Sequence, residues 1–357
     1  MPATRSGTLG FFIRVMSFKP LRHLAAIALL GFVLVRAWDP PGQEGMTLKR
    51  LLTDHLAAGN LDFIALVSSM ALLATAISFT IIRWHLLLST MGLGIPAQQT
   101  ARLGWIGFYF NTLLPGSIGG DLIKATVVAR RFPGRRVQAV ATVLLDRGFA
   151  LWNLVLFVAL VSMALPPAHQ ALARIGAWAR AFCLLTLLLW FLLGYLPLWR
   201  AERFALRLRR WFPGAGMLIG ELWLALFRYR QNPATIMVAI ALSAVSQAAF
   251  IISVERMGAG LRLGESMPSF EHHFLLVPMA MMMNAIPLFP GGIGIGEWGY
   301  GTLYSMLGGE ESVGVAVSLG HRLENWILAG MAMAGVAVTR WEEPPDLATD
   351  SASKPVG

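Results

Sequence analysis

Apolar runs of about 20 residues alternate along the chain with short polar segments rich in arginine. Each run is long enough to cross about 30 Å of hydrocarbon as a helix. The pattern predicts membrane spans at about 21–38, 61–82, 137–165, 172–196, 233–254 and 313–339. Two further apolar stretches, 103–129 and 274–307, are each interrupted by a cluster of proline and glycine: Pro115-Gly116-Ser117-Ile118-Gly119-Gly120-Asp121 and Pro290-Gly291-Gly292-Ile293-Gly294-Ile295-Gly296-Glu297. Proline and glycine stop helices, and each arm beside a break covers only part of a bilayer core. Irregular backbone at membrane depth is tolerated only inside protein or beside a water-filled cavity. These two stretches are therefore expected to be re-entrant helical hairpins.

Composition supports the pattern. Hydrophobic residues make up 56% of the 357 residues and charged residues 13%, about half the charged share of an ordinary soluble domain. The expected fold class is an all-α polytopic membrane protein, about six full spans plus two re-entrant hairpins, forming one integral membrane domain over 1–340. The net charge of +10 does not point to nucleic acid, because the arginines flank apolar segments, where they hold loops on the cytoplasmic side. A hairpin at 103–129 keeps Arg130, Arg131, Arg135 and Arg136 inside with Arg83 and Arg102; a kinked span would put them outside. The basic, apolar N-terminus imitates a signal peptide, but Arg36-Ala37-Trp38-Asp39-Pro40 follows instead of a small-residue cleavage site, so it is read as an uncleaved first span. Both termini are then expected in the cytoplasm and the chain in a bacterial inner membrane. The basic and aromatic stretch 198–230 suits either helices in the headgroup layer or ordinary inter-span helices. Residues 341–357 read as a disordered tail.

The segments 61–165 and 233–339 resemble one another. Asn111, the Pro115 break, Asp121 and Asp146-Arg147 recur in order as Asn284, the Pro290 break, Glu297 and His321-Arg322. Tracing from a cytoplasmic N-terminus, the first hairpin enters from inside and the second from outside, an inverted-topology repeat of the kind that secondary transporters use.

Ionisable residues in or beside these apolar segments are costly and mark function or mutual pairing. Asp121 and Glu297 each open a helix after a glycine-rich turn, where a carboxylate caps free N–H groups. The same N–H groups and glycines admit a phosphate, and Arg147 and Arg322 are suited to grip it bidentately. The expected substrate-binding set is Asn111, Pro115, Gly116, Gly119, Gly120, Asp121, Lys124, Asp146 and Arg147 with Pro290, Gly291, Gly292, Gly294, Glu297, Arg322 and Glu324. No cofactor, metal or catalytic residue is expected. Gly294-Ile295-Gly296-Glu297-Trp298-Gly299 matches a dinucleotide fingerprint but lacks the strand that must precede it. His321 and Glu324 lack further ligands for a metal, and the single cysteine, Cys183, excludes disulfide chemistry.

Arg83-Trp84, Phe108-Tyr109-Phe110-Asn111 through Asp121, Asp146-Arg147, and Pro290 to Gly294 with Glu297 and a later arginine together resemble the lysylphosphatidylglycerol synthase transmembrane, or flippase-like, family. The resemblance runs over roughly 20–340. It implies a domain that moves lipids between leaflets, without the soluble aminoacyl-transfer domain of the synthases. His321 departs from the pattern set by Asp146 and leaves Glu324 as the nearest candidate partner for Arg322. The expected function is a lipid flippase for a phospholipid or a polyprenyl- or hopanoid-type lipid, with Asp121, Asp146, Glu297 and Glu324 neutralising the two arginines when the site is empty. The alternative is a non-transporting membrane partner of a lipid-synthesis enzyme.

Overall fold

The computed structural model describes residues 19–38, 47–51, 53, 59–113, 119–165, 169–195, 197–212, 215–285 and 292–338. Expectations for Pro115, Gly116, Pro290 and Gly291, and for the tail 341–357, fall outside the described residues. Among those described, the regular structure is helical throughout. The helices are α1 (Lys19–Trp38), α2 (Phe63–Thr90), α3 (Ala97–Leu113), α4 (Gly119–Arg131), α5 (Arg136–Ala164), α6 (Gln170–Gly194), α7 (Leu198–Trp211), α8 (Ala215–Arg230), α9 (Pro233–Gly260), α10 (Phe270–Ala285), α11 (Ile295–Met306) and α12 (Glu311–Val338).

Four segments are long and apolar enough to cross a membrane: Phe63–Thr90, Pro133–Ala164, Gln170–Leu193 and Pro233–Gly260. Large apolar side chains face outward on them; on α6, Leu184 and Phe191 are each 68% exposed. In water such a surface would be an aggregation site, whereas lipid tails solvate it. The chain is a multi-pass membrane protein. The other two expected spans are α1 and α12. On α1 the apolar segment among the described residues is Ala26–Trp38. Helix α12 has 28 residues, but Glu311, His321, Arg322 and Glu324 interrupt its hydropathy.

Helix ends follow local chemistry. The Asp62 carboxylate accepts from the N–H groups of Ile64 and Ala65 at 3.0 and 3.1 Å and starts α2. Pro233 opens α9 at the first turn, where its missing N–H costs nothing. Helix α2 continues well past the expected end at residue 82 and carries Arg83 into the interior, because that side chain finds an acidic partner there.

Helices α2 and α9 form the most extensive helix pair and run antiparallel, as their contacts show. Ser69 reaches the Ser253 carbonyl at 2.7 Å, Ser246 reaches the Ala76 carbonyl at 2.7 Å, and Thr80 meets Ser246 at 3.0 Å. Small and hydroxylated residues let membrane helices approach closely, and each such hydrogen bond contributes about 1 kcal/mol. The remaining helices cross over between the halves: α3 packs on α12, and α10 packs on α5. Helices α7 and α8 form a separate hairpin that docks on α5 through α8. Tyr229 anchors it by donating to the Leu87 carbonyl at 2.8 Å. Arginines and tryptophans of α7 remain outside, including Trp199 and Trp211.

The two broken stretches have arms of 17 and 13 residues, α3 and α4, and of 16 and 12, α10 and α11. Arms α3 and α4 meet at Gly120, where a Cβ would lie 1.8 Å from the Gly107 carbonyl oxygen. Gly120→Ala must therefore separate the arms. The variant is expected to lose about 1–3 kcal/mol of stability, read as a lower unfolding midpoint of purified protein. Gly134→Ala, where a Cβ meets nothing within 4 Å, should leave that midpoint unchanged.

Candidate functional site

The two breaks build similar polar corners. In the first, Asn111 on α3 accepts from the Gly120 N–H at 2.8 Å and ties the two arms together. Asp121, in the first turn of α4, pairs with Arg147 of α5 at 3.2 Å and with Lys124 at 3.6 Å. Lys124 is 7% exposed and lies 5.1 Å from the centre of the Trp84 ring, whose face attracts the cation.

In the second, Gly294 adopts a φ of +84° ahead of α11, a conformation that side-chain-bearing residues avoid. This turn lets Glu297 fold back to accept from the Gly294 N–H at 2.7 Å. Its other oxygen takes Arg322 of α12 through Nη2 at 2.6 Å and Nε at 2.8 Å. Glu297 is fully buried, and the bond to its helix N-terminus and the guanidinium offset the cost of burying its charge. Asn284 stands opposite Gly292 and Gly296, as Asn111 stands opposite Gly120. Among the described residues the buried Oδ1 of Asn284 has no hydrogen-bond partner.

One cavity, of about 360 Å³, joins the corners. Asn111 and Arg147 line it from the first half, and Asn284, His321, Arg322 and Asn325 from the second. A smaller cavity of about 130 Å³ adjoins it, sharing Ala150, Leu154, Phe250 and Met281 and reaching Arg83 and Ser243.

Two expected partnerships are corrected. Asp146 does not pair with Arg147: it holds Arg83 of α2 at 2.8 Å, both side chains being almost wholly buried. Arg83 also donates to the Ser243 hydroxyl of α9 at 2.8 Å. Glu324 does not pair with Arg322 either. Its Oε2 lies 2.8 Å from the Ser69 hydroxyl and 4.0 Å from His321 Nε2. Both departures follow from helix geometry. Residues one or two apart point to different faces, so Arg147 and Arg322 turn toward the breaks while Asp146 and Glu324 turn toward α2.

Of the expected set, Gly119 lies at the start of α4 and Gly292, Gly294 and Glu297 around the start of α11. Arg83, His321 and Asn325 enter the site without having been selected from the sequence as binding residues. Their signal was a polar or ionisable side chain on the interior face of an otherwise apolar helix. Among the described residues no three His, Cys, Asp or Glu side chains come together as for a metal.

The family model for the lysylphosphatidylglycerol synthase TM region matches residues 22–332, and the chain belongs to that family. Comparison with curated proteins finds no match.

The Arg83–Asp146 pair yields a stability test. Asp146→Asn leaves a buried guanidinium without its counter-charge and is expected to destabilise the protein by about 3–5 kcal/mol. The apolar double substitution Arg83→Met with Asp146→Leu should recover most of that loss in the same unfolding measurement.

Proposed function

We propose that this member of the lysylphosphatidylglycerol synthase TM region family is a lipid flippase of the bacterial inner membrane. It moves a phospholipid or a polyprenyl- or hopanoid-type lipid between leaflets, with both termini in the cytoplasm. The observation that carries this reading is the single cavity lined by Arg147 from one half and Arg322 from the other, each arginine already holding a carboxylate beside a broken helix.

On this reading α3–α4 and α10–α11 are hairpins entering from opposite faces. The antiparallel α2–α9 pair and the reciprocal packing of α3 on α12 and α10 on α5 support an inverted repeat. The headgroup phosphate exchanges with Asp121 and Glu297 on the two guanidinium groups, while the acyl chains stay among the lipids. Alternating exposure of the cavity to each leaflet then carries the headgroup across, as repeats rocking about a central site do in secondary transporters. The proposal assigns no chemical conversion to the chain.

Reconstituted vesicles test it. Labelled anionic phospholipid is expected to equilibrate between leaflets with wild-type protein, and Arg147→Gln with Arg322→Gln to slow it to the rate of protein-free vesicles. Wild-type protein that moves no lipid alone but co-purifies with a lipid-modifying enzyme would favour the partner role instead. Unchanged movement in the double variant would remove the arginines from the mechanism.

A further inference from the structure

Glu324 sits behind the cavity, 3% exposed, and its hydrogen bonds restrict where protons lie. The Ser69 hydroxyl is 2.7 Å from the Ser253 carbonyl and 2.8 Å from Glu324 Oε2. A carbonyl only accepts, and a serine has one proton to give. That proton serves one acceptor at a time: when it is on the Ser253 carbonyl the short Ser69–Glu324 contact needs a proton on the carboxyl group. Burial with no cation among its described hydrogen-bond partners favours the same protonated form.

The neighbouring histidine does not supply the missing charge. Ser253 Oγ donates to the Phe250 carbonyl at 2.8 Å, so His321 Nε2, 3.1 Å away, is the donor to that oxygen. His321 Nδ1 then accepts from Asn325 Nδ2 at 3.1 Å. Every bond is satisfied by a neutral ring. Of the other charged groups around α12, Arg322 pairs with Glu297, Glu255 with Arg256 at 3.0 Å, and Arg36 with Glu311 at 3.0 Å. Arg102 and Tyr109 of α3 are not among the hydrogen-bond or ion-pair partners of Glu324.

The charges around the cavity give this proton a use. Arg83, Lys124, Arg147 and Arg322 are joined in ion pairs to Asp121, Asp146 and Glu297. Among these described residues the cations exceed the carboxylates by one, and the segments spanning the breaks, 114–118 and 286–291, contain no acidic residue. With Glu324 protonated the cluster is matched by one phosphodiester anion; with Glu324 ionised it is already neutral.

We infer that Glu324 is a proton-carrying site linked to the cavity, so that an anionic lipid headgroup binds together with one proton and leaves as that proton leaves. This rests on the reading of the cavity as a phosphate site. No covalent bond is made or broken: the proton moves between water and a Glu324 carboxyl oxygen.

The test is the affinity of full-length purified protein for phosphatidylglycerol as a function of pH. Above the pH at which empty Glu324 ionises, wild-type affinity should fall by up to about tenfold per pH unit, the limit for one linked proton. Glu324→Gln, a permanent stand-in for the protonated acid, should bind tightly with a flat profile over the same range. Parallel profiles for wild type and Glu324→Gln overturn the inference.

If Glu324→Gln does not fold, the infrared carbonyl band of a protonated carboxylic acid in wild-type protein decides. That band must be present with phosphatidylglycerol bound and must shift in Ser69→Ala; a band that is absent or unmoved overturns the proposal. The binding readout needs no movement between leaflets. A pH slope without lipid movement refutes transport alone, movement without a slope refutes the proton linkage alone, and absence of binding at any pH overturns both.

Discussion

A charge in an apolar layer must be paired or neutralised, and this constraint organises the interior. Breaking a helix frees N–H groups that lipid cannot satisfy. At the second break Glu297 meets that need by bonding the Gly294 N–H, but it brings a negative charge to a fully buried position. Arg322 from the following helix cancels the charge. Glycines are required because the arms must approach within backbone contact for these bonds to form, as at Gly120 against Gly107. Glycine, acid and arginine come together at both corners, but at the first the Gly120 N–H is taken by Asn111 and, among the described residues, Asp121 bonds only the cations Arg147 and Lys124.

The two corners are not interchangeable. On α5, the position before the arginine is Asp146, locked to Arg83 at 2.8 Å by a pair that binds α2, α5 and α9 together. On α12 the corresponding residue is His321, and the acid has moved to Glu324, among hydroxyl groups of α2 and α9. The first half thus holds a fixed pair of opposite charges where the second holds a hydrogen-bonded acid and imidazole. Both clusters sit against the α2–α9 contact, so a change of charge in one is felt at the helix pair that joins the halves.

The elements were legible from sequence because apolar run length and helix breakers act locally. Spans at 61–82, 137–165, 172–196 and 233–254 correspond to α2, α5, α6 and α9, and of the glycines expected at the interruptions Gly119 and Gly120 open α4 while Gly292 to Gly294 precede α11. Partner choice was not legible in the same way. Asp146 beside Arg147 and Glu324 near Arg322 look like natural pairs in one dimension, yet adjacent helical positions diverge in space. Arg83 read as a flanking, topology-setting arginine because hydropathy falls there. Only the packing of α5 against α2 reveals that an acid waits for it.

The state of the two cavity arginines bears on what kind of site this is. An isolated guanidinium buried in apolar surroundings would bind phosphate very tightly, and a carrier built on it would release its cargo slowly. Here Arg147 faces Asp121 and Arg322 faces Glu297 across 3.2 and 2.6 Å. On the proposed reading, phosphate enters by exchange: the guanidinium swaps one oxyanion for another, and the displaced carboxylate keeps a second partner, Lys124 for Asp121 and the Gly294 N–H for Glu297. Neither state leaves a bare charge, so the two differ modestly in free energy. A site meant to hold its ligand permanently has no need of such substitutes, whereas one that must load at one leaflet and empty at the other depends on them.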